Sequence, residues 1–226
     1  DNMMNLELLF WATRETGDPV FHDIALKHAE TTLKNHFRED GSSYHVIGYD
    51  TLTGNVVQKN THQGYAHESA WARGQAWGLY VFTMTYRETG DERFLQLSEK
   101  IAEFILNHPN LPEDMVPYWD FDTPDIPNTE RDASAAAIMA SALYELSTYV
   151  DEQKSSKYRK AADQMLASLS SPDYLAEPGA NNHFLLMHSV GNHPRGSQVN
   201  VPISYADYYF MEANLRKLKL SSGDRL

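Results

Sequence analysis

The stretch WARGQAWG sets Trp71 and Trp77 six positions apart around Arg73, with Gly74 and Gly78 inside what otherwise reads as a helix. Glycine in a helix interior costs about 1 kcal/mol relative to alanine, so folding alone does not ask for this composition. Indole faces are platforms for sugar rings, and a guanidinium is shaped to grip a carboxylate. With Tyr65, Tyr118 and Trp119 on neighbouring loops, the set describes a carbohydrate cleft. Asp1, in DNMMNLELL, and Asp132, in TERDASAAA, each head an apolar helical run, where Asp serves either as an N-cap or as a group that gives and takes a proton. For Asp132 the cap is the stronger reading. His45, in SYHVIGYD, reads by itself as a surface or satisfied core histidine in the middle of a strand, and Gln63, in THQGYAHES, is uninformative alone.

Other chemistries lack their residues. No Gly-rich phosphate loop, dinucleotide fingerprint or G-x-S-x-G elbow is present, so nucleotide binding and a serine hydrolase are not indicated. Ten histidines include no H-x-x-x-H helical pair, and cysteine is absent, so neither a metal site nor a cofactor is expected. A net charge of −12 argues against a nucleic-acid partner, whose affinity is drawn from clustered Lys and Arg. No apolar run approaches the roughly 20 residues that cross a bilayer, so no membrane partner is expected either. The absence of cysteine leaves cytoplasm and periplasm both open. The chain opens on Asp1 with no initiator Met, which reads as an end from which preceding sequence is missing.

The elements that must carry these residues come from an internal repeat. RETGD occurs at Arg14 and again at Arg87, and a weaker third copy begins at Leu146, with Asp151 standing where Asp18 and Asp91 stand. Each copy reads as a helix, a short polar turn and an amphipathic return helix, of which Leu95, Ile101, Phe104 and Ile105 show the spacing. First helices such as ASAAAIMASALYEL carry small residues on several faces and belong to an inner layer; the charged return helices belong outside. With ISYADYYFMEANLRKL from Ile203 as a last inner helix, the expectation is three hairpins and one single helix, seven in all, in one domain covering 1–226. The long loops 40–68, 109–131 and 171–202 arrive at the N-terminal ends of the inner helices, the rim that carries function. A β-hairpin around TLTG and a strand in HFLLMHSV are expected within them.

The combination of HQG, WARGQAWG, YHVIGYD, PYWDFDTP and VPISYADYYFMEANL resembles the unsaturated glucuronyl hydrolases, glycoside hydrolase family 88. The resemblance implies an (α/α)6 barrel, of which the seven helices would be the C-terminal seven of twelve. It also implies a substrate: the Δ4,5-unsaturated uronic acid left by polysaccharide lyases at a non-reducing end. By motif, Asp1 matches the catalytic Asp, while His45 and Gln63 match residues that contact the uronate and its water. Trp71, Arg73 and Trp77 match the wall that holds the sugar, and Trp119 and Arg195 are further expected contacts. The family's second important Asp would lie on an earlier helix outside this sequence. Two rival readings are a related hydrolase of unsaturated rhamnogalacturonan, family 105, and a non-catalytic glycan-binding half barrel.

Overall fold

The computed structural model describes residues 1–224 and 226. Seven α-helices occur in chain order: α1 (Leu6–Thr16), α2 (Pro19–Asn35), α3 (Ala72–Thr89), α4 (Glu92–Asn107), α5 (Ala133–Leu146), α6 (Glu152–Leu169) and α7 (Ser204–Ser222). They form three antiparallel hairpins and one single helix, as the repeat predicts. The two RETGD turns close alike. Gly17 and Gly90 take left-handed conformations, with φ of 73° and 68°, which lack of a Cβ permits. Asp18 and Asp91 then cap the return helices by accepting from the amides of Val20 and Arg93, and Asp151 caps α6 from Lys154.

Burial sorts the layers. All fourteen residues of α5 are buried, because its alanines and serines let α3, α6 and α7 approach on different sides. On α4 the buried residues Phe94, Leu95, Ser98, Ile101, Ala102 and Ile105 form one stripe, as an outer helix requires. One continuous apolar core runs from Met3 to Ala213. Leu8 and Trp11 of α1 and Tyr208, Met211, Leu215 and Leu218 of α7 stand exposed at the two ends of the inner layer.

Two small antiparallel hairpins ornament the long loops: β1 (Val46–Tyr49) with β2 (Val56–Asn60), and β3 (Ser189–Asn192) with β4 (Ser197–Val201). The first surrounds TLTG as expected, although His45 immediately precedes its strand rather than sitting mid-strand. The second corrects the strand placed in HFLLMHSV: only its end enters β3, since Leu186 makes an isolated bridge to Leu175 and His188 takes a positive φ of 62°.

Charged groups brace the short-turn rim. Glu145, 2% exposed on α5, accepts from Arg87 Nη1 of α3 at 2.7 Å and pairs with Arg216 Nη2 of α7 at 2.8 Å. Arg87 also pairs with Glu7 of α1, so one network links all four inner helices. Removing Glu145 would take the buried central carboxylate from two partly desolvated guanidinium groups, leaving Arg87 with Glu7 and Glu88 and Arg216 with Glu212 at 3.6 Å. Glu145→Ala is therefore expected to cost about 3 kcal/mol in urea unfolding, whereas a loss under about 1 kcal/mol would show that the bracing is ornamental.

Candidate active site

At the long-loop rim, a cavity of about 570 Å³ is lined by Asp1, His45, Trp71, Gly74 and Trp77, together with α2 residues including Lys27 and His28. Four of the predicted residues thus share one space. Asp1 occupies the N-cap position of a 3-10 turn over Asn2–Asn5, but its side chain makes no capping bond; only its carbonyl does, accepting from Met4 N at 3.0 Å. Asp1 is exposed to the cavity. The side-chain cap expected of Asp1 is therefore absent. Asp132, by contrast, is a cap: it is fully buried and accepts from the Ser134 amide at 3.1 Å.

His45 is fixed by its surroundings. Its Nδ1 accepts from the backbone amides of His62 at 3.1 Å and Gln63 at 3.2 Å, and its ring stacks on Trp71 with centroids 4.4 Å apart. A nitrogen that accepts two N–H bonds carries no proton, so the neutral ring holds its hydrogen on Nε2. Burial first, and after it the nearby terminal ammonium of Asp1, lowers its pKa to about 4. His45 is consequently a neutral hydrogen-bond donor, not a proton source, at neutral pH. The loop before it is tied to α3 by Gln75, whose Oε1 accepts from the Ser43 amide at 2.7 Å and whose Nε2 donates to the Gly41 carbonyl at 3.1 Å.

Gly74 and Gly78 have steric reasons. A Cβ on Gly74 would stand 2.8 Å from Trp71 Cε3, and one on Gly78 would stand 3.1 Å from Phe37 Cζ. Glycine at 74 therefore makes room for the indole that His45 stacks on.

Arg73 differs from its expected part. Its side chain is 3% exposed and Nη1 bonds Asp132 Oδ2 at 3.0 Å. Nη1 also donates to the Val190 carbonyl, and Nη2 donates to the Gly191 carbonyl at 2.7 Å. Both Nη1 hydrogens are spent within the protein, leaving Nε–H and one Nη2–H. A free fork offered to a carboxylate is not what the fold presents. Gln63 shares the same anchor, donating from Nε2 to the Gly191 carbonyl at 2.8 Å.

Trp119 and Arg195 do not join the cavity. Trp119 is 3% exposed, so its indole has no face to offer a sugar; it stacks on His193 with centroids 4.1 Å apart and planes 5° apart. Arg195 is exposed beyond β3, in the short turn His193–Arg195. Sequence reading also missed Asp120, which accepts from the Tyr65 amide and from Ser69 Oγ, both at 2.8 Å, and so shapes the loop bearing Gln63. Burial raises its pKa. Its only signal was the acidic pair in WDFD. Among the described residues no cluster of metal-ligating side chains occurs, and no helix is long and apolar enough to cross a membrane.

No family model matches the chain. An unsaturated glucuronyl hydrolase of Formosa agariphila is 51% identical over 220 residues, covering 97% of this chain and 54% of the relative. An unsaturated chondroitin disaccharide hydrolase of Streptococcus pyogenes is 39% identical, covering 97% and 55%. A crystal structure of an unsaturated glucuronyl hydrolase specific for heparin superposes with a TM-score of 0.95 at 53% identity, covering 98% of this chain and 59% of that one. The chain spans a little more than half the length of the relatives it matches.

Two outcomes are expected of this geometry. Gly74→Ala displaces Trp71 and with it the His45 ring, which a loss of the ring-current shift on the His45 protons would register; an unchanged spectrum contradicts the packing. His45 and His36, both held at a pKa of about 4 mainly by burial, stay neutral in the fold while the unfolded chain protonates near 6.5. Stability is thus full above pH 6.5 and falls toward pH 4, by about 1.4 kcal/mol per pH unit for each histidine. His45→Gln should flatten that slope in pH-dependent urea melts, and a slope identical to the parent's would contradict it. In sequence and fold alike, the chain belongs with the unsaturated glucuronyl hydrolases.

Proposed function

We propose that residues 1–226 form a single domain, the C-terminal part of an (α/α)6 barrel, that removes Δ4,5-unsaturated uronic acid from the non-reducing end of lyase-generated oligosaccharides. The observation that carries this reading is the uncapped Asp1 carboxyl facing the same cavity as the neutral His45 and the Trp71 and Trp77 rings. Ordinary glycosidases flank the anomeric bond with two carboxylates; a vinyl ether asks for less. The Asp1 carboxylic acid gives its proton to carbon 4, charge develops at carbon 5 beside the ring oxygen, and the resulting carboxylate takes a proton from the water that adds there. The product is a hemiketal, which opens and expels the next sugar. The carboxyl ends each cycle protonated, as it began.

The remaining residues bind and orient. His45 Nε2–H donates to the uronate or its water, and Gln63, its Nε2 held by the Gly191 carbonyl, is assigned to the same water through its side-chain oxygen. Trp71 and Trp77 wall the ring. Arg73 acts chiefly as a buried positive charge behind that wall, favouring a substrate carboxylate through its field and its spare hydrogens. To Arg195, exposed beyond β3 and outside the cavity lining, we assign an anionic group on the following sugar. The heparin-specific structure and the chondroitin disaccharide hydrolase among the relatives both point to a glycosaminoglycan fragment as substrate.

Mixing the protein with unsaturated heparin and chondroitin disaccharides is expected to abolish the near-ultraviolet absorbance of the vinyl ether and to release 4-deoxy-keto-uronate. Asp1→Asn should slow this by about 10²- to 10⁴-fold with folding intact. Binding with no loss of absorbance would establish a glycan-binding half barrel instead, and an undiminished rate in Asp1→Asn would remove Asp1 from the chemistry.

A further inference from the structure

The β3–β4 hairpin meets the site through two adjacent carbonyls, those of Val190 and Gly191. The Gly191 carbonyl accepts from Arg73 Nη2 at 2.7 Å and from Gln63 Nε2 at 2.8 Å, so its two lone pairs hold two candidate site residues from different segments. Gly191 is confined on its other side: a Cβ there would lie 2.7 Å from Gln198 Cβ. Two residues further on, His193 is locked to a different loop. Its Nε2 donates to Glu130 Oε2 at 2.8 Å, and its ring lies parallel on Trp119. The Trp119 indole N–H donates to Thr129 Oγ1 at 3.0 Å, and Thr129 Oγ1 donates to Glu130 Oε2 at 3.1 Å, which closes a ring of contacts around the imidazole. Trp119 in turn reaches the site from below, because its carbonyl accepts from the Ala72 amide at 3.1 Å, between Trp71 and Arg73.

We infer that His193 is a positioning residue: clamped between Trp119 and Glu130, it sets the β3 backbone so that the Gly191 carbonyl holds the Gln63 amide and the Arg73 guanidinium in register with Asp1. This explains why Trp119 is buried flat beneath a histidine rather than open to a sugar. It also explains a half-exposed His–Glu pair that no step of the reaction uses. The clamp lies outside the cavity and touches no reacting atom, so its effect travels through backbone: the Val190 and Gly191 carbonyls that hold Arg73 and Gln63, and the Trp119 carbonyl that receives the Ala72 amide. Misplacing such contacts by an ångström costs about a hundredfold in rate.

The inference rests on the hydrolase reading for its kinetic arm and stands apart from it in a second arm. Kinetically, His193→Ala is expected to lower kcat by about ten- to a hundredfold with KM within about twofold. In a Gln63→Ala background the same substitution should cost at least about threefold less, because one of the two side chains that the β3 carbonyls hold is gone and only the Arg73 links remain. Equal losses in the two backgrounds would overturn the inference. In the second arm, amide hydrogen exchange across 189–192 should quicken about tenfold or more in His193→Ala while the α5 core is unchanged. Unchanged exchange at 189–192 overturns the clamp even if the parent turns over no substrate, an outcome that would by itself count only against the hydrolase reading.

Discussion

The buried ion pair between Arg73 and Asp132 is the constraint around which the long-loop rim is assembled. Both side chains are almost wholly removed from water, with 3% and 0% exposure. An ion pair so placed is tolerable only when most of the remaining donors and lone pairs find partners, since desolvation otherwise exceeds the Coulombic gain. That requirement recruits three elements. Asp132 must accept from the Ser134 amide and hydroxyl, which fixes the start of α5. Arg73 must donate to the Val190 and Gly191 carbonyls, which draws the β3 strand onto α3. Once Gly191 is there, Gln63 has its acceptor, and the amides of His62 and Gln63 fall onto His45. The position of His45 therefore follows from satisfying a charge buried elsewhere.

The electrostatic result is an uneven division of labour. His45 is denied a proton by two amides and by burial, and can only donate from Nε2. Arg73 is spent on structure and contributes mainly a field. Asp1 alone keeps a side chain free of capping bonds at a helix start, where Asp18, Asp91, Asp132 and Asp151 are all consumed as caps. Asp18, Asp91 and Asp151 share one position in the repeat, at the starts of the return helices, while Asp1 and Asp132 stand at the starts of inner elements, and of these two Asp132 is buried as a cap.

Much of this scaffold was legible in the sequence because it is periodic and local. The RETGD turns, the amphipathic stripe of α4 and the small residues of α5 announce hairpins in two layers, and TLTG announces its β-hairpin. The resemblance in HQG and WARGQAWG brought Asp1, His45, Trp71 and Trp77 to one cavity. What escaped was decided by contacts between distant loops, which leave no period. Gln75 carries no signal of its own in the sequence, yet it ties the 41–43 loop to α3 across 32 positions. Arg73 was read by its chemistry as a clamp, and the carboxylate it meets is the protein's own Asp132, 59 positions away. Trp119 was read as a sugar platform, and its platform is taken by His193. Aromatic and guanidinium groups recognise ligands and protein segments by the same forces, so residue type alone does not separate the two uses.

The central claim is that one free carboxyl, a neutral imidazole and a structurally committed arginine make a site for an unsaturated uronate. A crystal structure of the Asp1→Asn protein bound to an unsaturated disaccharide tests it most directly. The unsaturated ring is expected against Trp71 and Trp77, its double bond within hydrogen-bond reach of the side chain at position 1, and His45 Nε2 donating to the ligand. Arg73 should still hold Asp132 and the Gly191 carbonyl. A disaccharide seated in the second cavity, beside Asp173 and Tyr174 and out of reach of position 1, would contradict it.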